Sequence, residues 1–379
     1  MDQHELSTSN TFLSTSDTFT TYATEFYERS FGDGFIIGFG ILVFLLMIFG
    51  ILSNSLVVIV IQRTRELKKS HFMTIICSLC ISDLMSAMIS PFFWYRRSLG
   101  YDIWNLPNFF CELFWAVDIM TSLSTSMHVL SFAILRYIAI QHHSTFVKVS
   151  SKIVNIWIAC IWLIAFSCGF IPYFIFFEAD PGVERKKSEH SWPACTLKLD
   201  WLKSYNIYVV VGFTVFFFVP MILIVVMSIL IAHAVHVHSV TYVVTNDQSL
   251  DRRMKKKKQA VLQLVLIVVL FFTGYIPYVS YETWSRHHRK ADAAIDHWFC
   301  IAQYLFLRAS ECLNPVVYCL SSSKMRKHIG VFLQKTCAFS TSNINTSTST
   351  PGSSTSRWGE QKSRTAVFKN KFLPVRDKN

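Results

Sequence analysis

Five ionisable residues stand inside long apolar stretches of this 379-residue chain: Asp83, Glu112, Asp118, Arg308 and Glu311. A charge in such a setting is costly unless it has a partner or a task. Glu112 stands near the end of its stretch, where a side chain can reach water. Asp118 and Arg308 fall at similar depth in two different stretches. Asp118 alone can hold an amine by a charge-assisted hydrogen bond in a dry pocket. With Arg308 level with it, an internal ion pair that joins two helices until a ligand competes is an equal reading. A permanent salt bridge is the plain alternative. Asp83 and Glu311 lie near mid-stretch, with Asn314 close by in sequence to Glu311. Two close carboxylates either bind a cation or share a proton; ordinary polar contacts between helices would also accommodate them. The histidines fall mostly at helix ends or in loops, so no catalytic constellation forms, and the ten widely spread cysteines make a weak case for zinc or redox chemistry.

The elements that must position these residues are seven apolar runs. A helix needs about 20 mostly apolar residues to cross a bilayer. Reading between charges predicts helices over 34–62, 71–95, 109–135, 153–177, 204–232, 259–281 and 297–320. Each is far longer than the roughly ten residues of a barrel strand. The expected fold is therefore all-α, a seven-transmembrane helix bundle.

Composition agrees. The chain is 52% hydrophobic and only 16% charged, against about 25% charged in soluble domains. A disordered chain, a collagen-like chain and a disulfide scaffold are excluded. The net charge of +12 lies in segments that flank the apolar runs, which argues for a lipid bilayer and against nucleic acid. With the N-terminus outside, the inner segments hold 24 Lys and Arg and the outer segments 11, the bias that sets orientation. Residues 1–33 hold six acids and one base, lack a signal peptide and read as a disordered extracellular tail. Residues 34–336 form the membrane domain, and 337–379 a disordered Ser/Thr-rich cytoplasmic tail.

Ordered markers then resemble one family, the rhodopsin-like (class A) G-protein-coupled receptors. They are Gly50 to Asn54 in the first helix and Ser82-Asp83-Leu84 and Pro91 in the second. Trp104 and Cys111 open the third, which ends in Leu135-Arg136-Tyr137. Trp162 and Pro172, Pro220, Phe271 and Pro277 follow, and the seventh ends in Asn314-Pro315-Val316-Val317-Tyr318. The resemblance spans Phe35 to about Cys337. It implies a plasma-membrane receptor that passes an extracellular ligand signal to a heterotrimeric G protein, and no enzymatic activity. It implies a Cys111–Cys195 disulfide and coupling through Arg136, Tyr137 and Tyr318. It also implies an allosteric sodium pocket of Asp83, Thr125, Ser310 and Asn314, to which Glu311 adds a carboxylate. A short amphipathic eighth helix and palmitoylation of Cys337 complete the pattern. Arrestin would bind the tail once Ser and Thr residues 340–356 are phosphorylated.

Several positions depart from the family pattern. Leu135 stands where an acid restrains the following Arg, so raised ligand-independent activity is expected. Ser228 replaces a Tyr. Gly274-Tyr275-Ile276-Pro277 replaces Cys-Trp-x-Pro, leaving Tyr275 as the aromatic toggle. The expected ligand-binding set is Asp118, Arg308, Tyr304, Tyr278, Glu282 and Tyr275. Charged outer loops, including Glu184 to Lys187 and Arg286 to Lys290, favour a peptide. An amine ligand and a non-signalling decoy are the alternatives. A transporter would show internal repeats, and none is visible.

Overall fold

The computed structural model describes residues 32–101, 104–179, 193–245, 248–287 and 293–347. Six helices are long and apolar enough to cross a membrane: Asp33–Arg63, His71–Arg96, Asn108–Gln141, Ser151–Phe176, Leu202–Val237 and Lys257–Ser285. A seventh, Ala293–Ser321, is less apolar because it carries His297, Gln303, Arg308, Ser310, Glu311 and Asn314. All six of those side chains are buried. Its polar face is turned into the bundle, the arrangement that a lipid surround demands. These are called the first to seventh spans below.

Two continuous helices contain the fifth and sixth spans and overrun their apolar runs, ending at Thr245 and beginning at Gln248. The third runs on to Gln141. Apolar length measures what lipid requires, whereas good helix formers such as the lysines before Gln259 extend the helix beyond it. After the seventh span, Ser323–Ser347 forms a further helix, which covers the start of the stretch expected to be a disordered tail. The chain divides into two compact units, Met1–Val331 and Phe332–Asn379, and the bundle belongs to the first.

The second and third spans form its centre. In their most apolar windows 67% and 56% of residues are buried, against 22% in the first, fourth and fifth spans. The apolar residues of those outer spans face outward: Leu52, Leu163, Ile207 and Ile229 are all more than 60% exposed, as suits contact with lipid tails.

Five prolines punctuate the spans, and the carbonyls freed by three of them, Pro91, Pro172 and Pro220, have side-chain partners. A proline at position i cannot donate to the carbonyl at i−4. Pro91 leaves the Ala87 carbonyl, which accepts from Ser90 Oγ at 2.8 Å. Pro172 leaves that of Cys168, which accepts from the Tyr208 hydroxyl of the fifth span. Pro220 leaves that of Phe216, which accepts from Ser126 Oγ of the third span at 2.8 Å. Five-residue π-turns, Phe166–Phe170 and Thr214–Phe218, precede Pro172 and Pro220. Two of the three broken helical bonds have thus become bonds between spans, which re-satisfies the backbone and sets the packing.

Close approach is set by small residues. A Cβ on Gly169 would lie 2.8 Å from the Met120 Cα, so the fourth span rests directly on the backbone of the third. A Cβ on Gly274 would overlap Ser310 Oγ and lie 3.3 Å from the Leu307 Cα. The sixth and seventh spans meet there, which explains why this position carries no side chain.

At one end of the bundle a two-stranded antiparallel hairpin, β1 (Phe177–Ala179) and β2 (Cys195–Leu197), pairs Ala179 with Cys195. A disulfide joins Cys195 to Cys111 at the start of the third span. Cys300 is a free buried thiol, and so are Cys77 and Cys80, a Cys-x-x-Cys pair inside the second span.

Candidate ligand site and the Arg136 end

Arg308 is a fork. Its Nη2 donates to Asp118 Oδ1 of the third span, and its Nη1 donates to Glu311 Oε2 one turn along its own helix, at 2.7 Å. The same Glu311 oxygen accepts from Ser86 Oγ of the second span at 2.5 Å. The three charged side chains are at most 5% exposed. One guanidinium therefore bridges two carboxylates, as the planar fork of arginine allows, joining the third and seventh spans directly and the second through Glu311. The expected Asp118–Arg308 pair is present. Glu311, which the sequence groups with Asp83, accepts hydrogen bonds from Arg308 and Ser86.

Aromatic groups wall this network. The Arg308 guanidinium lies 4.6 Å from the centre of the Tyr304 ring, and Tyr304 stacks on Phe93 at 3.5 Å. Tyr275 is fully buried, stacked on Phe271 at 4.5 Å, with its hydroxyl donating to the Ser122 carbonyl at 3.3 Å. Tyr278 stacks on Phe213 at 5.7 Å. The hydroxyls of Tyr278 and Tyr304 are buried with no hydrogen-bond partner among the described residues, an arrangement that a native core avoids unless something else supplies the partner. Glu282 is half-buried a turn beyond Tyr278. The six expected ligand-binding residues thus fall on the third, sixth and seventh spans, and four of them are grouped around the Arg308 fork. The loop charges at 184–187 lie outside the described residues.

Deeper in the bundle, Asp83 Oδ2 accepts from Asn314 Nδ2 at 2.9 Å. Asp83 Oδ1 is buried and has no hydrogen-bond partner within bonding distance among the described residues. Thr125 Oγ1 lies 3.3 Å from Ser82 Oγ, and Ser310 Oγ donates to the Leu307 carbonyl at 2.7 Å. An orphaned carboxylate oxygen with hydroxyls on the neighbouring spans is an all-oxygen donor set, which fits a hard cation such as sodium. No cluster of three or more His, Cys, Asp or Glu that could hold a metal occurs among the described residues.

At the opposite end, Arg136 lies over the Phe72 ring at 3.9 Å and the Phe132 ring at 4.9 Å. Its Nη2 donates to Gln263 Oε1 of the sixth span at 2.5 Å. Tyr137 packs against His142 at 5.7 Å. Tyr318 is fully buried and its hydroxyl has no partner among the described residues. Cys337 falls within the last helix, and its side chain is outside the described residues.

A seven-span bundle with this disulfide, a buried Asp83–Asn314 bond and an arginine at the end of the third span matches one family model. Residues 53–318 match the 7 transmembrane receptor (rhodopsin family). The chain belongs to this family. It is similar to C-X-C chemokine receptor type 5 of Homo sapiens, 26% identical over 308 residues covering 77% of this chain and 75% of the relative. It is 25% identical to a QRFP-like peptide receptor of Branchiostoma floridae over 298 residues, 77% of each chain. It is 26% identical to growth hormone secretagogue receptor type 1 of Sus scrofa over 289 residues, 74% of this chain and 76% of the relative.

As a rhodopsin-family receptor it is a multi-pass membrane protein and not an enzyme. Two residues escaped the sequence reading. Gln263 looks like one polar residue among many on a helix until its distance to Arg136 is known. Arg96 stands at the end of an apolar run, where a basic residue reads as an ordinary boundary.

Proposed function

We propose that this receptor sits in the plasma membrane with its N-terminus and disulfide end outside. It binds a peptide there and passes the signal to a heterotrimeric G protein at the Arg136 end. The observation that carries the reading is the Arg308 fork, which couples the outer pocket to the bundle centre. A ligand group that engages either Asp118 or Arg308 must loosen the bond between the third and seventh spans, and their movement can then reach Arg136. The peptide preference rests on the charged outer loops of the sequence and on the name of one relative, a QRFP-like peptide receptor. An amine ligand would need Asp118 unencumbered, whereas Arg308 already holds it. Sodium acts as an allosteric ligand at Asp83, with Thr125, Ser310 and Asn314 as neighbouring groups. Arrestin follows phosphorylation of the tail.

The test is G-protein activation in cells, basal and with a peptide and amine panel, for wild type beside Arg136→Ala at matched surface expression. Signalling that the variant lacks supports a coupled receptor. Equal output from both sinks the coupling reading and favours a decoy.

A further inference from the structure

Three arginines, Arg96, Arg97 and Arg308, are each at most 5% exposed at the disulfide end or just beneath it. Two of them are matched by acids. Arg308 holds Asp118 and Glu311. Arg97 lies 3.4 Å from Asp296, and its Nη2 donates to the Tyr281 hydroxyl at 3.0 Å. Arg96 is different. Among the described residues its hydrogen bond is from Nε to the Cys195 carbonyl at 2.8 Å, and no acid lies within ion-pairing distance. Its guanidinium is 4.7 Å from the centre of the Trp115 ring, which in turn stacks on Phe177 of β1 at 4.3 Å.

A guanidinium carries five N–H donors in a rigid plane, and Nε supplies one of them here. The four donors on Nη1 and Nη2 are left for something else. The indole N–H of Trp115, in the same stack, is buried without a partner among the described residues. An unsatisfied buried donor is costly, and a cation this far from water with no acid paired to it gains from a bound anion. The complement of this donor set is a planar anion with several acceptor oxygens.

We propose that Arg96, held in place by the Cys195 carbonyl and the Trp115 ring, is a carboxylate-recognition site for the peptide ligand. The carboxylate pairs bidentately with Nη1 and Nη2, and Trp115 contributes its N–H. The site is separate from the Arg308 fork, whose guanidinium is already shared between two acids. The proposal rests on the peptide-receptor reading above, since it supplies one recognition element of that ligand. The carboxylate is either the C-terminus of the peptide or an acidic side chain.

The experiment uses the purified full-length receptor in detergent and small probes observed by saturation-transfer NMR. N-acetylphenylalanine presents a terminal carboxylate, and N-acetylphenylalaninamide is its neutral match. N-acetylglutamyl-phenylalaninamide presents a side-chain carboxylate, with the glutaminyl analogue as its match. At least one acid should bind at least tenfold more tightly than its amide, and Arg96→Gln should abolish that preference while Arg96→Lys retains part of it. Which acid binds assigns the source. Equal binding of acid and amide by wild type overturns the proposal, as does a preference unchanged in Arg96→Gln. Should Arg96→Gln fail to fold, wild type alone decides. Phenylglyoxal labelling of Arg96, read by peptide mass spectrometry, should be slowed by the acid and not by its amide; equal labelling overturns the proposal. Because binding is read without a G protein, loss of coupling leaves this result standing, and loss of carboxylate binding leaves coupling standing.

Discussion

Arg136 of the third span donates a 2.5 Å hydrogen bond to Gln263 of the sixth. The residue before it is Leu135, so the neighbouring acid that restrains this arginine elsewhere in the family is absent. The sequence alone therefore implies a loose resting state. The structure supplies a different restraint: a neutral acceptor across the helix interface, with Phe72 and Phe132 packed on the guanidinium. This contact joins the third and sixth spans at the end where the proposed coupling would act.

A hydrogen bond to a charged group contributes about 1.5–3 kcal/mol. If it favours the resting state by that amount, Gln263→Ala should raise ligand-independent G-protein activation roughly ten- to hundredfold, up to saturation of the assay. Leu135→Asp should lower it by adding a second acceptor. Second-messenger output normalised to surface expression reads both. Unchanged output from Gln263→Ala would show that the contact does not restrain the receptor.

The Arg308 fork makes a second prediction. Removing one partner from a buried charge network leaves the others uncompensated and costs about 3–5 kcal/mol. Arg308→Met strands two carboxylates and should lower the thermal midpoint of the purified receptor more than Asp118→Asn does. The double variant Arg308→Met, Asp118→Leu should recover part of the loss, since replacing a buried pair by apolar residues is far milder than breaking it. Additive losses in the double variant would mean that the two side chains act independently.

Depth alone left open whether Asp118 pairs with Arg308 or waits for a ligand; the ion pair forms, since two isolated charges at one level of an apolar bundle have few alternatives. The seven spans were equally legible, since length and apolarity are what lipid demands of a helix. For Glu311 the sequence gives the depth, close to Asp83, but not the bonds to Ser86 and Arg308, which depend on rotation about the helix axes. The glycine at 274 read as a departure from Cys-Trp-x-Pro, and its cause, the approach of Ser310, needs the packed sixth and seventh spans to be seen.

That approach is itself testable. Gly274→Ala adds one methyl group where Ser310 Oγ already stands. Overpacking of this kind costs about 1–3 kcal/mol. Gly274→Ala should destabilise the receptor, and pairing it with Ser310→Gly, which vacates the space, should restore most of the thermal midpoint. Failure of Ser310→Gly to rescue would place the strain elsewhere.

The orphaned Asp83 oxygen makes the last prediction. A buried carboxylate whose Oδ2 is bonded to Asn314 and whose Oδ1 has no partner gains most from a cation that brings no hydrogen-bond requirement of its own. Sodium should therefore raise the thermal midpoint of the purified receptor relative to N-methylglucamine at equal ionic strength, following the mass-action form in which a ligand of the folded state stabilises it. Asp83→Asn should remove that dependence, because an amide has no charge to offer. Glu311→Ser should leave the sodium response in place, since the Glu311 carboxylate is taken by Arg308 and Ser86. A sodium response lost in Glu311→Ser and kept in Asp83→Asn would move the cation to the outer carboxylate and reverse the assignment.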